Sequence, residues 1–184
     1  MIESVAPAPG EVLSFWRTAG RERWFKRDPA FDDKIRRLFE PLIARAAAGD
    51  LAAWEATDEG ALALVIVLDQ FPRNIYRETS RAFATDAQAR AVASRAIARG
   101  VDKRIASDLL QFLYMPFMHS EHLADQERCV ALFRDARLDD NIPFAEEHAD
   151  IIRRFGRFPH RNPFLDREAT PDEEAFLAQG GFAG

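Results

Sequence analysis

The sequence has too few cysteines and too short apolar runs for several classes of protein. Its one cysteine, Cys129, excludes an internal disulfide framework and a zinc site built from thiolates. No apolar run approaches the roughly 20 residues that a transmembrane helix needs. The first ten residues contain an acid but no basic region, so no signal peptide is predicted. We therefore expect a soluble cytoplasmic protein with no membrane partner.

The composition provides enough apolar sequence for a sizeable core. Of the 184 residues, 47% are hydrophobic and 30% are charged. These values predict one folded domain over residues 1–184 and exclude disordered and low-complexity classes. The 25 basic side chains are outnumbered by 30 acidic ones, a net charge of -5. This balance argues against a general nucleic-acid partner.

Helix signals follow one another along the chain. Asp28 before Pro29 is typical of an N-cap with proline at the first helical position. The apolar run at 61–68 is interpreted as a buried helix that Thr57 or Asp58 opens and that stops near Pro72.

Further caps complete the helical pattern. Capping boxes are predicted at Thr85 and at Thr170, and Asp102 is predicted to cap the helix that follows it. One helix is expected over residues 117–136 and another from Asn141 onward. The sequence therefore predicts an all-α fold, a single compact domain of about eight helices.

Polar residues interrupt several of these apolar faces. Asp69 and Gln70 end the most hydrophobic segment, and His119 and Gln126 fall on the stripe of the predicted 117–136 helix. His148 falls on the apolar stripe of the next helix. A buried polar group needs a partner, so we expect these side chains to meet in a shared pocket. The alternative is that each one is a satisfied core residue without a functional role.

A second feature is a cluster of arginines. Residues 151–167 contain five arginines and one acid, and Arg73 and Arg77 form another basic turn after Pro72. Arginine forks suit carboxylates and phosphates, which favours an anion-binding mouth. The alternative is salt bridging to acids elsewhere in the chain, for which the candidates are Glu121, Asp125 and Asp69.

The standard catalytic and cofactor motifs are absent. The sequence contains no Walker A loop, GxGxxG, GxSxG or HExxH string. His119 and His122 have poor spacing for metal ligands on one helix, and a serine triad around Ser120 is disfavoured because sequence neighbours diverge on a helix. Cys129 is interpreted as a packing residue. We predict no metal and no cofactor, and we assign no catalytic residue.

Two functions remain open. The favoured hypothesis is a pocket for a small anionic molecule, in which a histidine near a carboxylate acts as general acid or base. The predicted ligand-binding residues are Asp69, Arg73, His119, Gln126, His148, Arg157, His160 and Arg161. The alternative is a helical module that binds a protein or peptide through apolar loop residues, namely Phe71, Phe164 and Phe182. RNA binding through residues 153–158 is a weaker interpretation, because phenylalanines at helical spacing are typical of a core.

Several longer strings carry a family resemblance. They are LDQFPRNIYR at 68–77, AFATD at 82–86, FLYMPFMHSEHLADQE at 112–127, RRFGRFPHRN at 153–162 and the TPDEE string that starts at Thr170. With these strings the chain resembles, from about Val12 to Phe182, the bacterial family called domain of unknown function 924. The resemblance implies a tetratricopeptide-like arrangement of α-helices, although no 34-residue period is visible. It implies no particular activity.

Overall fold

The described part of the chain is all-helical, as predicted. A computed structural model describes residues 7–182, which contain ten α-helices and no strand. Eight of these ten helices have eight or more residues. The helices are α1 (Pro9–Ala19), α2 (Arg21–Trp24), α3 (Pro29–Ala47), α4 (Asp58–Val65), α5 (Phe71–Ile75), α6 (Asp86–Ala98), α7 (Ser107–Met118), α8 (Leu123–Asp135), α9 (Ile142–Phe155) and α10 (Pro171–Ala178). No helix within residues 7–182 has the length and apolar character needed to cross a bilayer.

Short 3₁₀ turns join the helices, and the chain divides into two compact units. Unit 1 comprises Met1–Arg77 and Arg81–Pro116, and unit 2 comprises Glu78–Ser80 and Phe117–Gly184. The expectation of one domain over residues 1–184 stays a prediction. Each unit has its own buried apolar residues and is described separately below.

Unit 1 is built around aromatic rings. The ring of Trp16 on α1 lies 5.6 Å from that of Phe71 on α5 and 5.5 Å from that of Phe112 on α7, both edge-on. Phe39 on α3 stacks on Phe71 at 4.8 Å. All four residues are buried, so this cluster connects four helices. The prediction that Phe71 is an apolar loop residue for partner binding is wrong, because Phe71 is a core residue of α5.

Unit 2 packs α8 against α9, and α10 against the 3₁₀ turn Pro159–Phe164. Its core includes Ile151, Ile152 and Phe158, all buried. Three half-buried phenylalanines pack against this core: Phe155, Phe176 and Phe182. The sequence predicts Phe144, Ile151, Ile152 and Phe155 as the apolar stripe of α9. Ile151, Ile152 and Phe155 belong to this core, whereas Phe144 is 57% exposed, so the stripe is confirmed only in its later part.

The predicted helix over residues 117–136 is wrong in its first turn. Helix α7 ends at Met118 and α8 begins at Leu123. Between them the Ser120 hydroxyl donates a hydrogen bond to Asp125 at 2.7 Å and accepts one from the His122 N–H at 3.2 Å. These local bonds give the backbone an alternative to helical pairing, so the helix breaks there.

Some of the predicted helix caps are confirmed, and the one at Asp102 is wrong. Asp28, Thr57 and Thr170 each accept backbone N–H bonds at the starts of α3, α4 and α10, as predicted. Asp102 does not cap a helix. It is buried and accepts a hydrogen bond from the Tyr114 hydroxyl at 3.1 Å, while the next helix begins only at Ser107.

Two helical glycines of unit 1 form a matched pair for a stability test. A Cβ at Gly60 would lie 2.1 Å from the Trp54 carbonyl oxygen, whereas a Cβ at Gly10 would meet nothing within 4 Å. We expect Gly60→Ala to reduce the free energy of unfolding by roughly 2 kcal/mol or more, because backbone must move. We expect Gly10→Ala to be neutral or to stabilise by up to about 1 kcal/mol. Urea midpoints measure both variants, and equal midpoints would contradict the close approach at Gly60.

Candidate functional site

The most unusual backbone in the described residues is a π-helical turn between α4 and α5. It spans Ile66–Gln70, and the Phe71 N–H donates to the Ile66 carbonyl five residues earlier. The prediction that this helix stops near Pro72 is wrong, because the chain stays helical to Ile75. Wide turns of this kind occur often at functional sites.

The π turn passes Pro72 because another side chain supplies a missing hydrogen bond. Proline has no N–H, so the Leu68 carbonyl loses the donor that a helix would normally provide. The Thr85 hydroxyl donates to that oxygen at 2.5 Å. The capping box predicted at Thr85 is therefore wrong. Helix α6 begins at Asp86 without a side-chain cap, because the Thr85 hydroxyl bonds to the Leu68 carbonyl instead.

Asp69 and Arg73, two of the predicted ligand-binding residues, meet in unit 1 beside this turn. Asp69 is fully buried, and its carboxylate accepts a bond from the Gln70 amide at 2.7 Å and lies 3.2 Å from Arg73 Nη1. Arg73 also makes a forked pair with Asp86 at 2.7 and 2.9 Å. Burial opposes the charge of Arg73, but Asp69 and Asp86 raise its pKa above the usual value. Arg73 therefore neutralises two carboxylates of the protein itself, as the salt-bridging alternative predicts.

The role of Thr85 can be tested with a nearly isosteric substitution. Thr85→Val would leave the buried Leu68 carbonyl without its donor, so we expect a loss of about 1–3 kcal/mol in the free energy of unfolding. Thr18→Val is the matched control, because the Thr18 hydroxyl also donates to a backbone carbonyl, that of Ser14, but on the exposed side of α1. We expect the control to change stability by less than about 0.5 kcal/mol. Equal losses in chemical denaturation would contradict this account.

In unit 2, two predicted histidines meet around two phenylalanine rings. The His148 ring lies 5.5 Å from Phe158 and 4.4 Å from Phe182, measured between ring centroids. The His160 ring lies 5.6 Å from Phe158 and 5.2 Å from Phe182. The Arg161 guanidinium carbon lies 4.4 Å from the Phe158 ring centroid. We call these five residues the histidine cluster.

The hydrogen bond of His148 determines which of its nitrogens is basic. Nδ1 lies 2.7 Å from the Phe144 carbonyl oxygen, one helical turn earlier. A carbonyl can only accept, so Nδ1 carries the hydrogen and Nε2 is the basic nitrogen of the neutral ring. His148 is 6% exposed, so its ring is held in place by both this bond and the surrounding aromatic rings.

Charged side chains of both signs lie next to the histidine cluster. Arg161 is buried, and Arg167 makes a forked pair with Glu121 at 2.8 and 3.0 Å. The Phe158 N–H donates to the same carboxylate at 2.9 Å. Burial would raise the pKa of Glu121, but the bonds from Arg167 and Phe158 and the charges of Arg167 and Arg161 lower it below the usual value.

Arg157, another predicted ligand-binding residue, is engaged within unit 2. Its guanidinium makes a forked pair with Glu173 at 2.6 and 2.8 Å and also donates to the Glu168 carbonyl at 2.8 Å. Glu173 accepts a further bond from the Thr170 N–H at 2.8 Å. Hydrogen bonds from Arg157 and Thr170 lower the pKa of Glu173 to about 2. The pair joins the end of α9 to the start of α10.

Gln126 and His119 belong to the turn between α7 and α8. Gln126 is fully buried, and its amide donates to the Met118 and Ser120 carbonyls at 2.7 and 2.6 Å. These bonds hold the turn, which gives Gln126 a structural role. His119 lies in the same turn before α8 begins and is half-buried, so the prediction that it shares the α8 stripe is wrong.

The remaining reactive side chains offer little chemistry. Cys129 is buried, and burial raises the pKa of its thiol well above the usual value. A thiol in that state is a poor nucleophile. Within residues 7–182, no three His, Cys, Asp or Glu side chains come together in a way that could hold a metal ion.

The structure thus separates the predicted residues into groups. His148, His160 and Arg161 come together in unit 2, and Asp69 and Arg73 come together in unit 1. Sequence reasoning missed Phe158 as the ring that the two histidines share. It also missed Asp86 and Glu173 as partners of arginines, because separations of 13 and 16 residues follow no helical spacing. The Thr170 capping box was the available signal for Glu173.

The pair of Arg157 and Glu173 predicts a pH-dependent loss of stability. The pKa of Glu173 is about 2 in the folded protein against an ordinary 4.5. Its stabilising effect is therefore fully present above pH 4.5 and is lost as the pH falls towards 2. We expect Glu173→Gln to reduce the free energy of unfolding by about 2 kcal/mol at pH 7.

The matched control is Glu174→Gln, at an exposed neighbouring position on α10. We expect it to change stability by less than about 0.5 kcal/mol. The difference between the Glu173 variant and the wild type is expected to shrink between pH 4.5 and 2 in denaturation curves. A difference that stays constant over that range would contradict the assignment.

Comparisons with known proteins give the family and the fold. Residues 12–181 match the model of a family described as bacterial proteins of unknown function, DUF924. A solved structure of a protein of unknown function from Agrobacterium tumefaciens is 42% identical and superposes with a TM-score of 0.88. The similarity covers 94% of this chain and 97% of that chain. No curated protein matches the sequence.

Proposed function

Since the chain belongs to the DUF924 family of bacterial proteins of unknown function, we propose a function from its own geometry: it binds a small anionic molecule at the histidine cluster of unit 2. The observation that carries the proposal is the convergence of His148, His160 and Arg161 on one phenylalanine ring. Of the eight ligand-binding residues that the sequence predicts, the proposal retains these three.

The chemistry of the three side chains suits an anion. A guanidinium donates forked hydrogen bonds to carboxylates and phosphates. A histidine that carries a proton also attracts an anion. Charged hydrogen bonds are stronger beside buried aromatic rings than in open water, because the local dielectric constant is lower.

The orientation of His148 also supports a catalytic use of the same site. Its Nδ1–H bond to the Phe144 carbonyl fixes the tautomer in which Nε2 accepts protons. A buried, oriented imidazole of this kind is suited to act as a general base at neutral pH. Binding of an anion is our main proposal, and proton transfer by His148 is a secondary one. We assign no reaction.

The alternative function is a helical module for a protein or peptide partner. It loses part of its basis, since Phe71 is a core residue and Phe182 packs on the histidines. Phe144 on α9 is 57% exposed and would be a contact residue of such a partner. We also infer a tetratricopeptide-like arrangement of the helices, which the packing of α8 on α9 supports. We further infer a cytoplasmic location, which the buried free thiol of Cys129 supports.

A thermal-shift panel of phosphate, acetate, benzoate and nucleotides tests the proposal. A ligand at 100 times its dissociation constant stabilises by about 2.7 kcal/mol, or roughly 5–10 °C for a chain of this size. We expect His148→Leu and Arg161→Gln to abolish the shift. His148→Leu should leave the melting temperature without ligand unchanged or higher, as for a residue kept for function rather than stability.

Arg154→Gln is the matched control for Arg161→Gln. The Arg154 guanidinium also lies over a phenylalanine, 4.5 Å from the Phe155 centroid, but on the exposed side of α9 and outside the histidine cluster. We expect this variant to keep the full ligand shift. A wild-type protein that no anion stabilises, or an Arg154 variant that loses the shift equally, would overturn the proposal and favour a protein partner.

A further inference from the structure

We infer that Phe182 occupies the place of a ligand's aromatic ring, so that the anion bound at the histidine cluster is an aromatic carboxylate that displaces Phe182. This inference rests on the proposed anion site and specifies its ligand class. It also makes residues 179–182 a built-in competitor of the ligand.

The ring geometry supports this assignment. The Phe182 ring contacts both histidines, with centroid distances of 4.4 Å to His148 and 5.2 Å to His160 and interplanar angles of 60° and 73°. Such edge-to-face arrangements are the favoured ones between aromatic rings. They depend on the ring and not on the backbone that carries it. A free phenyl ring of the same size can therefore make the same contacts.

Phe182 is delivered to the cluster by a glycine turn and not by a helix. Helix α10 ends at Ala178, and Gly180 has a φ of +81°, which favours glycine. A Cβ at Gly181 would lie 2.5 Å from the Phe176 ring. The two glycines thus let the chain reverse closely beneath Phe176 and place the next ring on the histidines.

Phe182 is also less deeply buried than Phe158, the other ring that both histidines contact. Phe182 is half-buried, whereas Phe158 is 0% exposed. Both pack with the same small core of Ile151 and Ile152. Removal of Phe182 from the cluster therefore uncovers the histidines while Phe158 and the core beneath it stay in place.

The carboxylate end of the ligand follows from the neighbouring cations. Arg161 lies over the Phe158 ring, which also contacts both histidines. Phe158 is thus the ring that both histidines and this guanidinium share, and we expect a carboxylate on a ring in the place of Phe182 to pair with Arg161 through two parallel bonds. An aromatic alcohol would make the ring contacts without the ion pair, and acetate would make the ion pair without the ring contacts.

Calorimetric titrations of the full chain with benzoate, acetate and benzyl alcohol test the inference. We expect the wild type to bind benzoate more tightly than acetate. We expect Phe182→Ala to bind benzoate at least tenfold more tightly than the wild type, with acetate affinity changed less than threefold. Benzyl alcohol is expected to bind at least tenfold more weakly than benzoate to both proteins. Nuclear Overhauser contacts between benzoate and the His148 ring protons are expected in the variant.

Two further variants control for indirect effects. Phe155→Ala is the matched control, because Phe155 packs against the same core as Phe182 but faces Phe176 at 5.1 Å. It should leave benzoate affinity within threefold of the wild type. Gly180→Val strains the glycine turn at its φ of +81° without removing the ring, so it should raise benzoate affinity as Phe182→Ala does. This variant serves if Phe182→Ala does not fold.

The possible outcomes distinguish a failure of this inference from a failure of the anion-site proposal on which it rests. If anions bind and depend on Arg161 but Phe182→Ala leaves the ratio of benzoate to acetate affinity unchanged, the aromatic ligand class is wrong and the anion site stands. A loss of benzoate affinity in Phe182→Ala means that Phe182 is a wall of the site, which also overturns the inference. If no anion binds to any variant, both the anion site and its ligand class fail.

Discussion

The helix from Asp58 to Ile75 depends on one hydrogen bond that its own backbone cannot make. Most of its residues are buried, so each of its carbonyl oxygens needs a donor inside the protein. Pro72 removes the donor for Leu68, and the Thr85 hydroxyl replaces it. The same helical stretch places Phe71 in the aromatic core of unit 1 and brings Arg73 to Asp69. A residue 17 positions away thus completes a backbone that the local sequence would break.

The arginines of the chain follow a common physical rule, that buried or half-buried charge must be compensated. Arg73 pairs with Asp69 and Asp86, Arg157 with Glu173, and Arg167 with Glu121. Except for Arg73 with Asp69, these pairs join segments at least 13 residues apart, and together they account for much of the apparent anion-binding cluster. Arg161 is also buried, and its guanidinium lies over the Phe158 ring beside two histidines.

Whether a sequence prediction is right depends on how far apart in the sequence the interacting residues lie. Thr57, Asp28 and Thr170 were predicted correctly as caps because a cap depends on residues three positions apart. Thr85 and Asp102 have the same local signal but bond to Leu68 and Tyr114, which lie at least 12 residues away in the sequence. The break at residues 119–122 was missed because Ser120 and Gln126 compete with the helix through side-chain bonds that leave no gap in the apolar pattern.

The sequence by itself determined the all-α fold, the family and the chemical types of the candidate site, because helical periodicity and helix caps are local properties. It also identified His148, His160 and Arg161 as polar groups that need an explanation. Only the tertiary structure decided which distant acids pair with the arginines and which rings surround His148. It also decided that the Phe182 ring contacts both histidines. Those properties depend on contacts between segments whose separation in sequence has no period, so no pattern along the chain encodes them.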